Sequence, residues 1–345
     1  MGINMLDMKQ NNAHTVLSAL RSSKTSTIKD MAQMTGLSFA TVGNVLNGFV
    51  ERGEVILGEM YSATGGRPSQ AYTYNAEYAH VLALSARIRN GKNIISACVG
   101  NLYGEAVWQT EQCFDTIQLT SFESMIESTL LAYPTISIAA FSLPGIEQNG
   151  IILTNDYTEL EGISFKEYFQ TKYQLSVVIE NDVNAAVLGY GRNTKAVSVL
   201  VGIYFPRVFG PGAGVVIDNK ILKGFCGYAG EISLLPIGID WLSINYENSQ
   251  EVGAAISRLI SIFCGIVNPE RIVLYGDFFT DALKKDIIQE IPAQAVRNIF
   301  PTLDYTGDLD SDIILGLFEL ALSAYQSGAR GKYLPKKNNT FIVSE

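Results

Sequence analysis

Residues 180–191 read "ENDVNAAVLGYG" and follow an apolar run, "LSVVI", at 175–179. An apolar run of strand length that turns into an Ala- and Gly-bearing amphipathic stretch marks a strand-to-helix junction, with Asn181 and Asp182 at the helix start. In α/β proteins the carboxyl ends of buried strands are where ligands bind. Two readings of Asp182 stay open here. It holds or deprotonates a ligand, or it caps the helix that follows. What the remainder of the chain retains decides between them.

Outward from the junction, "HVLALSARIRNGKNIISACVGNLYGEAVWQTEQC" (80–113) reads as three consecutive strands, with Asn-Gly in "RNGK" a strong hairpin signal. A helix, "SFESMIESTLLAY", a strand, "ISIAAFSLPG", and a helix, "ISFKEYFQTKY", lead into the junction. A second set begins with "AVSVLVGIYF" and "GPGAGVVIDNKILKG". It closes with a helix, "EVGAAISRLISIFCGIVNP", a strand, "RIVLYG", and a C-terminal helix, "DIILGLFELALSAYQSGA". Two halves, each with hairpin strands followed by α/β units, predict a two-lobed α/β fold with a cleft between the lobes.

The first seventy-odd residues have a different character. "NNAHTVLSALRSS" places Val16, Leu17 and Leu20 on one helical face. Thr27 is positioned to cap a helix from Ile28 to about Thr35, with Asp30 as its capping-box acid. Gly36 allows a tight turn, and Ser38 caps a further helix to about Asn47. Helix, Gly turn and helix form a helix-turn-helix pattern. In the last helix Leu37, Val42, Val45 and Leu46 point inward, which leaves Ser38, Ala40, Thr41 and Asn44 outward. Short polar side chains on that face suit a helix that reads base edges in the major groove. "EVILGE" and "AYTYN" then alternate like two strands, with a Gly-rich wing between them whose Arg67 is suited to a narrow minor groove. The plainer alternative is a small helical domain for protein contacts, with Gly-Gly-Arg-Pro as ordinary turn chemistry.

Composition narrows the classes. The chain has 345 residues, 17% charged and 47% hydrophobic, and reads as globular with two or three domains. No apolar run reaches bilayer length, and "MGINMLDMKQNNAH" lacks a signal-peptide core and fails the myristoylation pattern at Leu6. Four scattered cysteines, without Cys-x-x-Cys spacing, fit a reducing cytoplasm. A net charge of −9 argues against a protein that coats nucleic acid along its whole surface. Residues 1–75 carry six Lys and Arg against five acids, which leaves 19 against 29 for the rest: a near-neutral head on an acidic body. His14 and His80 are the only histidines, which excludes a His-rich metal site or a Ser/His/Asp triad in the body.

Taken together, "TGLSFATVGNVLNGFVERGEV", "TGGRPSQAYTYN", "SLPGIEQNGIILTN", "ENDVNAAVLGYG", "GPGAGVVIDNKILKGFCGYAGEI" and "IVNPERIVLYG" resemble the ROK family of repressors and sugar kinases. The resemblance runs from about residue 10 to the end. It implies an actin-like ATPase fold preceded, as in the repressor branch, by a winged helix-turn-helix domain. The expected division is 1–76 for the DNA-binding domain and 77–345 for the body, with lobes of about 77–190 and 191–345.

Departures from the family pattern bear on activity. Where the kinases carry an Asp-x-Gly-Gly-Thr-like phosphate loop, this chain has "ALSARIRNGK". That removes a backbone cradle for phosphates and a carboxylate that organises Mg²⁺. The second glycine loop, "VFGPGAG", keeps Gly210, Gly212 and Gly214 but has Val208 and Phe209 in place of Gly and Thr. Leu234 stands where the family's zinc- and sugar-binding His would be, and no Cys-rich zinc loop follows. The adenine-side Gly pair is reduced to Tyr275-Gly276. The resemblance maps the kinases' proton acceptor onto Asp182, which here has no phosphate to work toward.

The expectation is therefore a cytoplasmic transcriptional regulator, a repressor, with no catalytic residue, metal or cofactor and no membrane association. Ser38, Ala40, Thr41, Asn44 and Arg67 would contact double-stranded operator DNA. Asn181, Asp182, Glu231 and Gly145 would contact a sugar or sugar-derivative effector, and the chain would act as a homodimer or homotetramer. The rivals are a sugar kinase with an atypical ATP site and a regulator without a small ligand, in which Leu234 makes the pocket less polar.

Overall fold

The computed structural model describes residues 5–61, 69–194, 197–291 and 300–328. At the N-terminus, α1 (Met5–Ser23), α2 (Ile28–Thr35) and α3 (Phe39–Arg52) pack around Val16, Leu20, Met31, Val42, Leu46 and Phe49. The Thr27 side chain accepts from the Asp30 N–H and caps the helix as the sequence predicts, but the Asp30 carboxylate accepts from the Thr27 hydroxyl (2.8 Å) rather than from its N–H, so the capping box is only half made. Gly36 ends α2 at φ 70°. The α3 helix runs five residues past Asn47, because Phe49 adds a further buried contact and the left-handed stop comes only at Gly53, φ 83°. The strands β2 (Val55–Tyr61) and β3 (Ser69–Tyr74) pair antiparallel. A short β1 (Thr25–Thr27), which the sequence pattern does not reveal, adds to β3.

The first body sheet contains β4 (His80–Arg89), β5 (Lys92–Gly100), β6 (Ala106–Phe114), β7 (Ile136–Leu143) and β10 (Ser176–Asn181). Its order is β10-β7-β4-β5-β6, with the β4–β5–β6 meander antiparallel and β7 and β10 parallel to β4. Asn90 and Gly91 both take positive φ (53° and 71°), which a two-residue hairpin of matching twist requires. Helices α4 (Leu119–Ala132) and α5 (Phe165–Tyr173) cover one face, where Phe122, Phe141, Phe165 and Phe169 stack edge to face. A small hairpin, β8 (Ile146–Gln148) and β9 (Ile151–Thr154), lies between β7 and α5.

From β10 the chain passes into α6 (Asp182–Asn193). The second sheet follows: β11 (Val199–Tyr204), β12 (Gly212–Ile217), β13 (Lys220–Ile221), β14 (Arg271–Tyr275) and β15 (Thr302–Thr306), in the order β13-β12-β11-β14-β15. Helices α7 (Ser249–Ile266) and α8 (Asp281–Gln289) pack together beside it, and α9 (Leu309–Gly328) ends the described chain.

The division at residue 190 does not describe where α9 lies. Although it follows the second sheet, α9 packs along α6 and on β4 and β7 of the first sheet, while α6 also rests on β11 and β12. The α6–α9 pair thus fills the space between the sheets. Glycines set that contact. A Cβ at Gly189 would fall 1.9 Å from the Asp312 carbonyl oxygen, and one at Gly316 would fall 1.8 Å from that of Ala185.

Candidate functional site: the cleft and the head

A cavity of about 270 Å³ opens beside the start of α6. Its walls come from β4 (Arg87), the loop after β9 (Asn155, Asp156), the β10–α6 junction, Tyr204, the glycine-rich loop 209–213 and the segment 227–233. All four residues expected to contact an effector line it: Gly145, Asn181, Asp182 and Glu231.

Their roles differ from the sequence expectation. Asn181, not Asp182, is the helix cap: its Oδ1 accepts the N–H groups of Val183 (2.9 Å) and Asn184 (3.1 Å). Its Nδ2 donates to the Gly145 carbonyl at 3.2 Å, which leaves one N–H of the amide uncommitted. Gly145 has φ 100°, and a Cβ there would lie 2.2 Å from the Thr154 carbonyl oxygen. The close backbone approach it permits is to β9 of the same chain.

Asp182 follows as the first helical residue, 9% exposed, with one oxygen accepting the Val183 N–H at 2.9 Å. Burial raises its pKa; the N–H groups and the nearby Arg87 charge oppose that rise. Glu231 is half-buried, and burial followed by the charges of Asp182 and Asp156 raises its pKa too. Asp156, which the sequence reading missed, completes a trio of carboxyls. It keeps contact with water at the cavity mouth, yet the surrounding walls and then Asp182 push it up to about 6. Its position depends on an Asx turn in which Asn155 Oδ1 accepts the Tyr157 N–H (2.9 Å) and Nδ2 donates to the Pro144 carbonyl (2.6 Å). The dipeptide Asn-Asp is the only trace of that turn in the sequence.

Leu234 does not make the pocket less polar. It is 66% exposed and outside the cavity wall, where Ser233 stands instead. Arg87 is the one basic side chain in the wall, and it forms an ion pair with Asp310 of α9.

Two glycines of the 209–214 loop are fixed by close packing within the chain. A Cβ at Gly210 would meet Ser233 Cβ at 2.4 Å, and one at Gly214 would sit 3.1 Å from the Asn184 Cα and the Val183 carbonyl oxygen. These glycines are needed for packing against the chain itself, and the cavity beside them holds three carboxyls. The residues present do not fit a bound polyphosphate there. Among the described residues no group of three His, Cys, Asp or Glu side chains is placed to hold a metal ion.

In the head, the Ser38 hydroxyl accepts the Thr41 N–H (3.1 Å) and lies 2.9 Å from the Thr41 hydroxyl. Ala40 and Asn44 are exposed and Thr41 half-buried, on the face of α3 opposite Val42 and Leu46. Phe39, which the sequence reading passed over, is 62% exposed at the same end. Arg67 lies outside the described residues.

Head and body meet at the β5–β6 turn. Tyr103 Oη donates to the Tyr74 carbonyl (3.3 Å), Lys24 pairs with Glu105 (3.3 Å), and Arg192 near the end of α6 donates to the Tyr103 carbonyl (3.0 Å). The α6 helix therefore touches the cavity at one end and the head-bearing turn at the other.

Among solved structures, a ROK family transcriptional regulator described as a homolog of the E. coli MLC protein superposes with a TM-score of 0.67 at 16% identity, over 94% of this chain and 99% of that one. A ROK family glucokinase from Streptomyces griseus, in complex with glucose and AMPPNP, gives 0.56 at 15% identity, over 71% of this chain and all of that one. These likenesses establish the two-lobed actin-like fold of ROK sugar kinases and regulators. Curated relatives include a xylose repressor of Caldicellulosiruptor bescii, 24% identical over 242 residues (65% of this chain), and one of Bacillus spizizenii, 23% identical over 331 residues (90% of this chain and 84% of that protein). The matched region spans 58% of the length of the Caldicellulosiruptor protein. Residues 88–238, from the end of β4 through the cleft walls, match the profile of the ROK family.

Proposed function

We propose that this chain is a DNA-binding transcriptional regulator, a repressor, that acts in the cytoplasm and responds to a sugar or sugar derivative held in the cleft. The observation that carries the reading is a three-helix winged head joined through Tyr103 and Arg192 to a cleft that keeps its polar side chains but lacks a phosphate cradle. In this reading 1–76 is the DNA-binding unit and 77–345 the effector unit. Ser38, Ala40, Thr41 and Asn44 face the major groove, and Arg67 follows the wing into the minor groove. Asp182 and Glu231 accept from the ligand's hydroxyls, while Asn181 and Gly145 hold the shape of the wall. The xylose repressors among the relatives support the assignment of a repressor with a sugar ligand. A ligand that binds one arrangement of the lobes better than the other shifts the equilibrium between them, and the heads move with it. A homodimer or homotetramer presents two heads to a roughly palindromic operator.

The test is fluorescence anisotropy with labelled DNA from the chain's own promoter region against random DNA of equal length, with and without sugars. A preference for the promoter that changes with one sugar supports the reading; equal affinity for both DNAs ends it.

One observation favours a second reading, an atypical sugar kinase. Asp182 is a buried carboxyl with a raised pKa at a cavity wall, as a general base requires. Sugar-dependent ADP formation that disappears in Asp182→Asn would establish it, and no turnover across a hexose panel would remove it.

A further inference from the structure

The cleft wall carries an excess of negative charge. Three carboxyls reach it from three separate elements: Asp156, Asp182 and Glu231. Each amide beside them commits one of its two N–H donors to the fold. Asn155 Nδ2 donates to the Pro144 carbonyl, Asn181 Nδ2 to the Gly145 carbonyl, and Asn184 Nδ2 to Glu180 (3.1 Å). The Arg87 charge is shared with Asp310.

Such a site repels anions. A phosphate or carboxylate on the ligand would face like charges. Hydroxyls satisfy acceptors but leave the mutual repulsion of the carboxyls in place. A cation satisfies the acceptors and screens the repulsion together. We propose that the ligand carries a protonated amine beside its hydroxyls, that is, an unacetylated amino sugar of monosaccharide size. Asp156 holds the ammonium group, and Asp182 and Glu231 accept from hydroxyls. This rests on the reading of the cleft as the effector site, and it names the class of effector.

The experiment is a thermal-shift and calorimetric comparison on the full chain of glucosamine, glucose, N-acetylglucosamine and glucosamine 6-phosphate. Wild type is set beside Asp156→Asn, whose side chain is at the water-exposed mouth and outside the core. Glucosamine is expected to bind about tenfold tighter than glucose, the worth of one charge-assisted contact. Acetylation or phosphorylation should weaken it, and Asp156→Asn should bring glucosamine down to the level of glucose. Glucose or N-acetylglucosamine binding as tightly as glucosamine would overturn the amine while leaving a sugar-responsive regulator intact. An amine preference unchanged in Asp156→Asn would overturn it as well, since the cation would then bind elsewhere. If no compound shifts a protein that still selects its promoter DNA, the amine and the sugar effector both fall.

Discussion

Replacing Asn181 by Ala removes two hydrogen bonds at the start of α6 and is expected to cost about 1 kcal/mol, read as a lower Tm. Asp182→Asn keeps an oxygen for the Val183 N–H and removes a buried charge, so its Tm should hold or rise while any ligand-induced shift shrinks. The neighbours thus separate a structural residue from a ligand residue by opposite signs in one assay. The carboxyl trio also makes a prediction about pH. Asp156, Asp182 and Glu231 have raised pKa values in the folded chain, so the folded state binds more protons than the unfolded state between the two sets of values. Stability should therefore fall as pH rises from about 4, the unfolded carboxyl value, through the folded value of about 6 at Asp156. Asp312 of α9, also raised to about 6 by burial, adds to the same slope. Denaturant unfolding at stepped pH checks this, and Asp156→Asn should flatten the slope without abolishing it.

Among the elements, α6 and α9 make the tightest contact. Gly316→Ala would drive a methyl group into the Ala185 carbonyl and is expected to destabilise by about 2 kcal/mol or more, measured as a lower midpoint of unfolding. Tyr103→Ala removes the bond to the Tyr74 carbonyl and the ring under Lys24, while Arg192 keeps its main-chain partner and the cleft and the α3 face stay untouched. DNA affinity should persist in that variant, and the change in affinity on adding effector should diminish. Local chemistry made several of these elements legible from sequence: the caps at Thr27 and Ser38, the Asn-Gly turn, and the apolar run ending at Asn181. The β8–β9 hairpin, α8 and β15 were not legible. A five-residue edge strand such as "TLDYT" and a nine-residue helix such as "DALKKDIIQ" are too short to show a period that stands out, and the contacts that hold them come from distant parts of the chain. The same reason separates Asp182, announced by its strand-to-helix junction, from Asp156, whose place depends on a loop folding over Pro144.

For the whole molecule, the near-neutral head sets the expected DNA behaviour. Each phosphate contact adds about 0.9 to the slope of log affinity against log salt. With six basic and five acidic residues in 1–75, the slope per head should be shallow. In the proposed dimer, affinity should then depend strongly on two heads binding together, and dilution below the dimerisation range should weaken binding more than moderate salt does. A salt titration at two protein concentrations distinguishes the two effects.

The path of α9 has a consequence for the order in which the chain is made. Its Ile313, Leu317 and Phe318 are buried in the core shared with β4 and α6, yet they are synthesised after the whole second sheet. At about 5–20 residues per second, the ribosome releases the strands of the first sheet on the order of ten seconds before the helix that covers them. In that interval a nascent first lobe carries an uncovered apolar face, a natural site for chaperone capture, and its folding waits for the last helix to arrive.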